Sequence, residues 1–200
     1  MTEALAVLGG YLLGSMPFGY WLPRLFRGED IRTKGSGNVG ASNVFRVYGR
    51  RLGIPVALLD VAKGFAAASL GLWAGGALVG VLAAAAAMAG HAWPVFLRFQ
   101  KGGKMVATAG GATFALAPLV AICCIGVWLA VFLSTRFASL ASIVTAIALA
   151  ILVVAFGYPW PVIAFGIAGA TAVILMHRQN IRRLLTGTEH RFELRRPRRA

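Results

Sequence analysis

From Met105 to Met176 the chain carries one charged residue, Arg136. A stretch of that length cannot form the outside of a water-soluble fold, whose surface needs roughly a quarter of its residues charged. In hydrocarbon every backbone N–H and C=O must be satisfied within the chain itself, and over segments of ~20 residues this leaves the α-helix. An all-α membrane protein is therefore expected. Composition agrees, with 58% hydrophobic and 13% charged residues and a mean hydropathy of +0.76. Two hundred residues hold about seven spans with short connections, so residues 1–200 read as one integral membrane domain. All chemistry must then sit in loops and helix ends.

The apolar segments run roughly over 4–23, 53–74, 77–97, 105–117, 119–135, 138–157 and 160–176. The turns Ala74-Gly75-Gly76, Ala117-Pro118 and Gly157-Tyr158-Pro159-Trp160-Pro161 lack charge, as translocated hairpins do. The basic residues lie elsewhere, in 24–51, at Lys63, in 98–104, at Arg136 and from Arg178 to Arg199. If these clusters are cytoplasmic, an even number of crossings separates each from the next. Seven transmembrane helices follow, with the N-terminus outside and the C-terminus inside. The segment 105–117 covers only ~20 Å at 1.5 Å per residue and is rich in Ala and Gly, so it is expected to pack inside the bundle. Trp21, Trp73, Trp93 and Trp160 fall near span ends as an aromatic belt, while Trp128 lies within a span. The N-terminus reads as a retained span, since no basic segment precedes its apolar run. Cys123 and Cys124 read as small buried hydrophobes. The net charge of +14 favours anionic partners, membrane lipid head groups or phosphorylated metabolites, and nucleic acid is not expected.

Three polar loops exceed what such a fold needs. The first, Asp30 to Arg46, spaces Gly35, Gly37 and Gly40 so that backbone N–H groups are exposed. Ser42 or Asn43 can cap a following helix, and Arg46 lies one turn on. This is phosphate-binding chemistry, without the strand of a Rossmann fingerprint or the closing Gly-Lys-Ser/Thr of a Walker loop. A flexible loop carrying positive-inside charge is the alternative. The second loop places Gly102, Gly103 and Lys104 at a helix start, where a dianion can be held; upstream, His91 reads as a packing residue. In the third, His177, Asn180 and either Arg183 or Leu184 share one helix face, Gly187 ends the helix, and Glu189 is placed to pair with a basic loop residue. The arginine-rich tail from Arg191 to Arg199 reads as an anchor to anionic lipid, with disorder over 191–200 as the alternative. Asp60 and Lys63, three apart within a span, read as an ion pair orienting the first loop.

Missing features narrow the chemistry. No carboxylate cluster suits a metal, no His is followed five residues later by Asp, and no serine nucleophile elbow occurs. No metal and no cofactor are expected. The substrate must arrive already activated.

The motifs Gly14-Ser15 with Pro17-Phe18-Gly19, Gly35-Ser36-Gly37-Asn38-Val39-Gly40-Ala41-Ser42-Asn43 with Arg46, and Asp60 with Lys63-Gly64 occur in that order. Gly90-His91 with Pro94-Val95-Phe96, Gly102-Gly103-Lys104 with Val106-Ala107-Thr108, Ser139-Leu140-Ala141-Ser142, and His177-Arg178 with Asn180, Arg183, Gly187 and Glu189 follow. Together they resemble the bacterial acyl-phosphate:glycerol-3-phosphate acyltransferases, small seven-span membrane proteins. The resemblance implies transfer of a fatty acyl group from acyl phosphate to the 1-hydroxyl of glycerol 3-phosphate. The products are lysophosphatidate and phosphate, in the first acylation of phospholipid synthesis at the bacterial inner membrane by a monomer. It implies His177, Asn180 and Lys104 as catalytic residues. Gly35, Ser36, Gly37, Asn38, Gly40, Ser42, Asn43, Arg46, Gly102, Gly103, Thr108 and Ser142 are implied as substrate and phosphate contacts, supported by Asp60, Lys63, His91 and Glu189. Glycine N–H groups of 35–40 with Ser36 and Asn38 would hold one phosphate, and Lys104, Gly102, Gly103 and Arg46 the other. Asn180 would polarise the acyl carbonyl or orient the hydroxyl. His177 is the candidate general base, a substrate phosphate being the other acceptor. The chain departs from the family pattern at Gln100, an extra residue, and at Met105, which replaces a glycine; Ser42 stands where threonine is usual. The added residue is expected to let the turn close early and leave Met105 as an ordinary helical residue. A transporter of phosphorylated metabolites or lipids is the rival from another class, disfavoured because the polar motifs sit on one face rather than at mid-membrane.

Overall fold

In the computed structural model, which describes residues 1–192, proline and glycine decide where the helices break. Helix α1 (Thr2–Ser15) stops before Pro17 and α2 (Phe18–Arg27) resumes after it, where an uninterrupted segment 4–23 was expected. Proline has no N–H to continue the ladder and its ring crowds the preceding turn. The Met16 carbonyl freed at this break accepts a hydrogen bond from Lys63 Nζ at 2.9 Å. Helix α3 (Ala41–Tyr48) is capped by the backbone of Gly40 with no side-chain cap, so Ser42 and Asn43 lie inside its first turn instead of capping it.

Helix α4 (Arg50–Ala92) folds back on itself at Gly75 (φ −167°, ψ 29°) and Gly76 (φ 71°, ψ −159°), the second a conformation only glycine adopts cheaply. Its arms pack so closely that a β-carbon on Gly71 would lie 2.5 Å from the Val79 carbonyl oxygen. The second arm ends at Ala92, short of residue 97, because Pro94 follows and the chain turns through Val95–Leu97. Helices α5 (Val106–Leu116), α6 (Pro118–Thr135), α7 (Ala138–Ala155) and α8 (Trp160–Met176) match the remaining apolar segments. Helix α9 (Arg178–Leu185) turns away from α8 by 58° at His177 instead of continuing its axis. No β-strand occurs among the described residues.

Small residues set the packing. A β-carbon on Gly64 would overlap the Thr108 carbonyl, and one on Gly111 the Val61 carbonyl, so α4 and α5 touch backbone to backbone. The main core gathers Ala68, Ala84, Met88, Ala112, Val120, Leu149, Val153 and Phe165. A second cluster, Ile31, Val39, Val44, Val56 and Leu97, fastens the first loop and α3 against α4. Outward, Leu119, Ile122, Ile125, Leu129 and Leu133 of α6 are exposed, an apolar surface suited to lipid. Four segments are long and apolar enough to cross a membrane: Thr2–Arg27, Arg50–Leu97, Pro118–Thr135 and Ala138–Ala155. The bent pair α8 and α9 makes a fifth, and α5 is shorter. Trp73 and Trp160 are largely exposed. Cys124 is buried as expected, but Cys123 faces outward.

Candidate active site

The first loop is held by its own asparagines. Asn43, expected to contact phosphate, is buried: its Oδ1 accepts the Ser36 N–H at 2.9 Å, and its Nδ2 donates to the carbonyls of Lys34 at 3.0 Å and Asn38 at 2.9 Å. Asn38 Oδ1 accepts the Gly40 N–H at 2.8 Å, and its Nδ2 reaches across to the Gly102 carbonyl at 3.1 Å. Gly37 donates to Lys34 O at 3.0 Å. The amides of Gly37 and Gly40, expected to cradle a phosphate, thus already have partners. Left facing outward are the Ser36 and Ser42 side chains and the opening amides of α3, which have no carbonyl of their own helix to meet. Gly35 and Gly37 serve the turn through positive φ (56° and 70°).

The second loop rests on the end of α4. Gly102 N–H donates to Ala92 O at 2.8 Å and Gly103 N–H to His91 O at 3.0 Å, so these amides are also engaged. The need for glycine is steric: a β-carbon on Gly103 would overlap the His91 ring. Beneath lies a buried polar cluster. Lys63 Nζ pairs with Asp60 Oδ1 at 2.8 Å, and His91 Nδ1 stands 3.6 Å from the same oxygen. The expected ion pair exists and ties the Pro17 break, α4 and the second loop together. Gln100, the extra residue, accepts from Arg32 Nη1 at 2.6 Å, while Arg32 is itself held by Asp30. Met105 does not take the expected helical conformation. It caps α5 with φ 68°, and its side chain is buried in the main core. Upstream, Arg98 and Phe99 also turn through positive φ (53° and 59°).

The third segment meets the second through Lys104, whose Nζ donates to Asn180 Oδ1. Glu189 orders this junction: Oε1 accepts from Asn180 Nδ2 at 2.7 Å and Ser139 Oγ at 2.8 Å, and Oε2 from Arg183 Nε at 2.7 Å. Its basic partner is therefore Arg183 of α9. Burial pushes the Glu189 carboxyl up, but hydrogen bonds from Asn180, Ser139 and Arg183 outweigh it and hold it below the ordinary range. Burial, then Arg183, pushes Lys104 down to about 8. Burial likewise lowers Arg46, opposed by Glu189 and reinforced by Arg183. His177, at the bend just past α8, is buried; its Nδ1 lies 2.8 Å from Val173 O, and burial pushes it down to about 4. Thr108 is fully buried with its hydroxyl unpartnered among the described residues. Ser142 Oγ donates to Ala138 O at 2.7 Å and accepts from Trp128 Nε1 at 3.3 Å. Trp128 and Ser139 thus join groups that sequence reasoning gave no role. So does Phe192, which is buried although it stands between Arg191 and Glu193 in sequence. The remainder of the basic tail, 193–200, lies outside the described residues.

Fold and site together define a helical membrane protein that gathers three cationic segments around a buried carboxylate at one end of its bundle. The chain belongs to the glycerol-3-phosphate acyltransferase family, whose pattern it matches over residues 4–187. A glycerol-3-phosphate acyltransferase of Synechococcus sp. (strain JA-2-3B'a(2-13)) is 47% identical over 192 residues, 96% of each chain. That of Aquifex aeolicus is 45% identical over 194 residues, 96% of this chain and all of that one. A crystal structure of PlsY, an integral membrane glycerol 3-phosphate acyltransferase, in its glycerol 3-phosphate form superposes with a TM-score of 0.92 at 44% identity, covering 96% of both chains. The lysophosphatidic acid form gives 0.89 at 42% identity, with the same coverage.

Proposed function

We propose that this chain transfers a fatty acyl group from acyl phosphate to the 1-hydroxyl of glycerol 3-phosphate, releasing lysophosphatidate and inorganic phosphate. The observation that carries this reading is the convergence of Lys104, Arg46 and Arg183 on Asn180 and Glu189 at the end of an apolar bundle. A substrate with a phosphate head and an alkyl tail needs cations beside hydrocarbon. The hydroxyl oxygen bonds to the carbonyl carbon of the mixed anhydride, the carbon–oxygen bond to phosphate breaks, and the hydroxyl proton passes to a base. Since the leaving group is already good, positioning and charge stabilisation suffice. Lys104 and Arg46 hold one phosphate at the opening turn of α5, with Gly102 and Gly103 shaping the backbone beneath. Ser36, Ser42 and the start of α3 face the other. Asn180 keeps Lys104 in register, and Thr108 and Ser142, both buried, support the site from within the bundle. With Nδ1–H donated to Val173, His177 presents Nε2 to orient the hydroxyl; an acid form near 4 makes it a weak base. A substrate phosphate, whose second pKa lies at roughly 6, is the stronger proton acceptor. Incubating purified protein in detergent with acyl phosphate and glycerol 3-phosphate should yield lysophosphatidate; no product sinks the reading.

The same reading places α1, both arms of α4, α5, α6, α7 and α8 as seven crossings of the bacterial inner membrane, by a monomer, with the N-terminus outside and the C-terminus cytoplasmic. Its support is the joining of all three loops on one face, through Asn38 to Gly102 and Lys104 to Asn180. Single cysteines at Gln100 and Gly76, introduced after replacing Cys123 and Cys124, should label from opposite sides in sealed vesicles. Labelling from one side overturns the topology.

A further inference from the structure

Past α9, Gly187 (φ 69°) reverses the chain, and the following residues cross back over the site as a strap. Glu189 fixes its start. Farther on, Arg191 Nε donates to Thr135 O at 3.3 Å and the Phe192 N–H to Arg136 O at 2.9 Å, tying it to the turn between α6 and α7. Phe192 is only 8% exposed. Its ring lies 5.4 Å from that of Phe132, edge to face, and 5.8 Å from that of Phe45, while Phe132 stacks on Trp128 at 4.8 Å. Over the ring stands the Arg46 guanidinium, with Cζ 5.1 Å from the centroid. Arg46 Nε is buried and has no hydrogen-bond partner among the described residues.

We infer that Phe192 is a positioning residue for Arg46, orienting the guanidinium through its π-face. A carboxylate would also fix an arginine, but it would occupy N–H donors and cancel charge. An aromatic face attracts the cation and leaves the five N–H groups free. That is the state in which an arginine receives a phosphate. The inference rests on the reading of Arg46 as a phosphate contact, and the experiment separates the two. KM for acyl phosphate and for glycerol 3-phosphate are measured for the parent, Arg46→Gln, Phe192→Leu, Phe192→Tyr and the Arg46→Gln/Phe192→Leu double variant, with thermal midpoints in detergent. Arg46→Gln should raise one KM. Phe192→Leu should raise that same KM by roughly tenfold, Phe192→Tyr should restore it, and in the Arg46→Gln background, where no cation faces the ring, Phe192→Leu should add less than about twofold. An unchanged KM in Phe192→Leu, or an undiminished effect in the double variant, overturns the inference while leaving Arg46 a phosphate contact. If Arg46→Gln changes neither KM, the phosphate role and this inference fall together. Should Phe192→Leu not fold, Phe192→Met removes the π-face at similar volume and is read by the same outcomes.

Discussion

At Met105 a long side chain sits on backbone that suits glycine, with φ 68° and the thioether buried in the core. Substituting glycine relieves about 1 kcal/mol of left-handed strain but empties a core position, a loss of about 2–5 kcal/mol for a buried methionine. The cavity wins. Met105→Gly should lower the thermal midpoint while changing kcat/KM by less than about threefold, since the fastenings of Gly102 and Gly103 on α4 hold Lys104 in place; a higher midpoint would show that strain dominates. Lys104 carries a pH signature. With its proton held only to about pH 8, kcat/KM should fall above that value, whereas Lys104→Arg, slower overall, should show no such fall. Two matching profiles would exclude Lys104 as the source. The folded protein releases this proton at lower pH than the unfolded chain, so from about 8 towards the ordinary lysine range the group favours folding more as pH rises, and lost activity there is not lost fold. His177 has an acid form near 4, so it is neutral across the neutral range. His177→Ala should reduce the maximal rate by a factor that stays constant from about pH 6 to 9; a factor growing with pH would show a titrating base.

The elements that positioned these residues were legible to different degrees. The turns at Gly75-Gly76, Pro118 and 157–161 follow from local chemistry, because glycine and proline act on the backbone where they stand. The break at Pro17 is equally local in origin, though its fastening to Lys63 is not, and the bend at His177, beside the Lys104–Asn180 contact, is announced by no periodicity. Loop glycines misled for a related reason. Their spacing suggested free amides, but Asn38 takes that of Gly40, the Lys34 carbonyl takes that of Gly37, and Asn43 takes the amide of Ser36 between them. Phe192 sits between two charged residues, Arg191 and Glu193, and gave no signal at all. The close approach of α4 and α5 was readable as small residues, and its consequence is testable. Gly64→Val places side-chain atoms against the Thr108 backbone, in the first turn of α5, just past Lys104. It should destabilise the protein by about 3 kcal/mol or more and reduce activity at least ~10-fold. Near-parent values would mean that α5 tolerates displacement.

For the molecule as a whole, the shortness of α5 is the telling dimension. Its 11 residues rise ~16 Å, about half the thickness of a bilayer's hydrocarbon. Helices that match the bilayer tilt or stretch when it thins or swells. This one is too short to set its position by matching the bilayer, and its backbone contact with α4 at Gly64 and Gly111 fixes its depth. Lys104 therefore keeps its height relative to Asn180 whatever the surrounding lipids measure. Reconstituted into bilayers of short-chain and of long-chain lipids, the enzyme should keep its rate within about twofold, whereas a steep optimum at one thickness would show that α5 is set by the membrane. An enzyme that builds the lipids around it is, on this construction, indifferent to how thick a sheet they make.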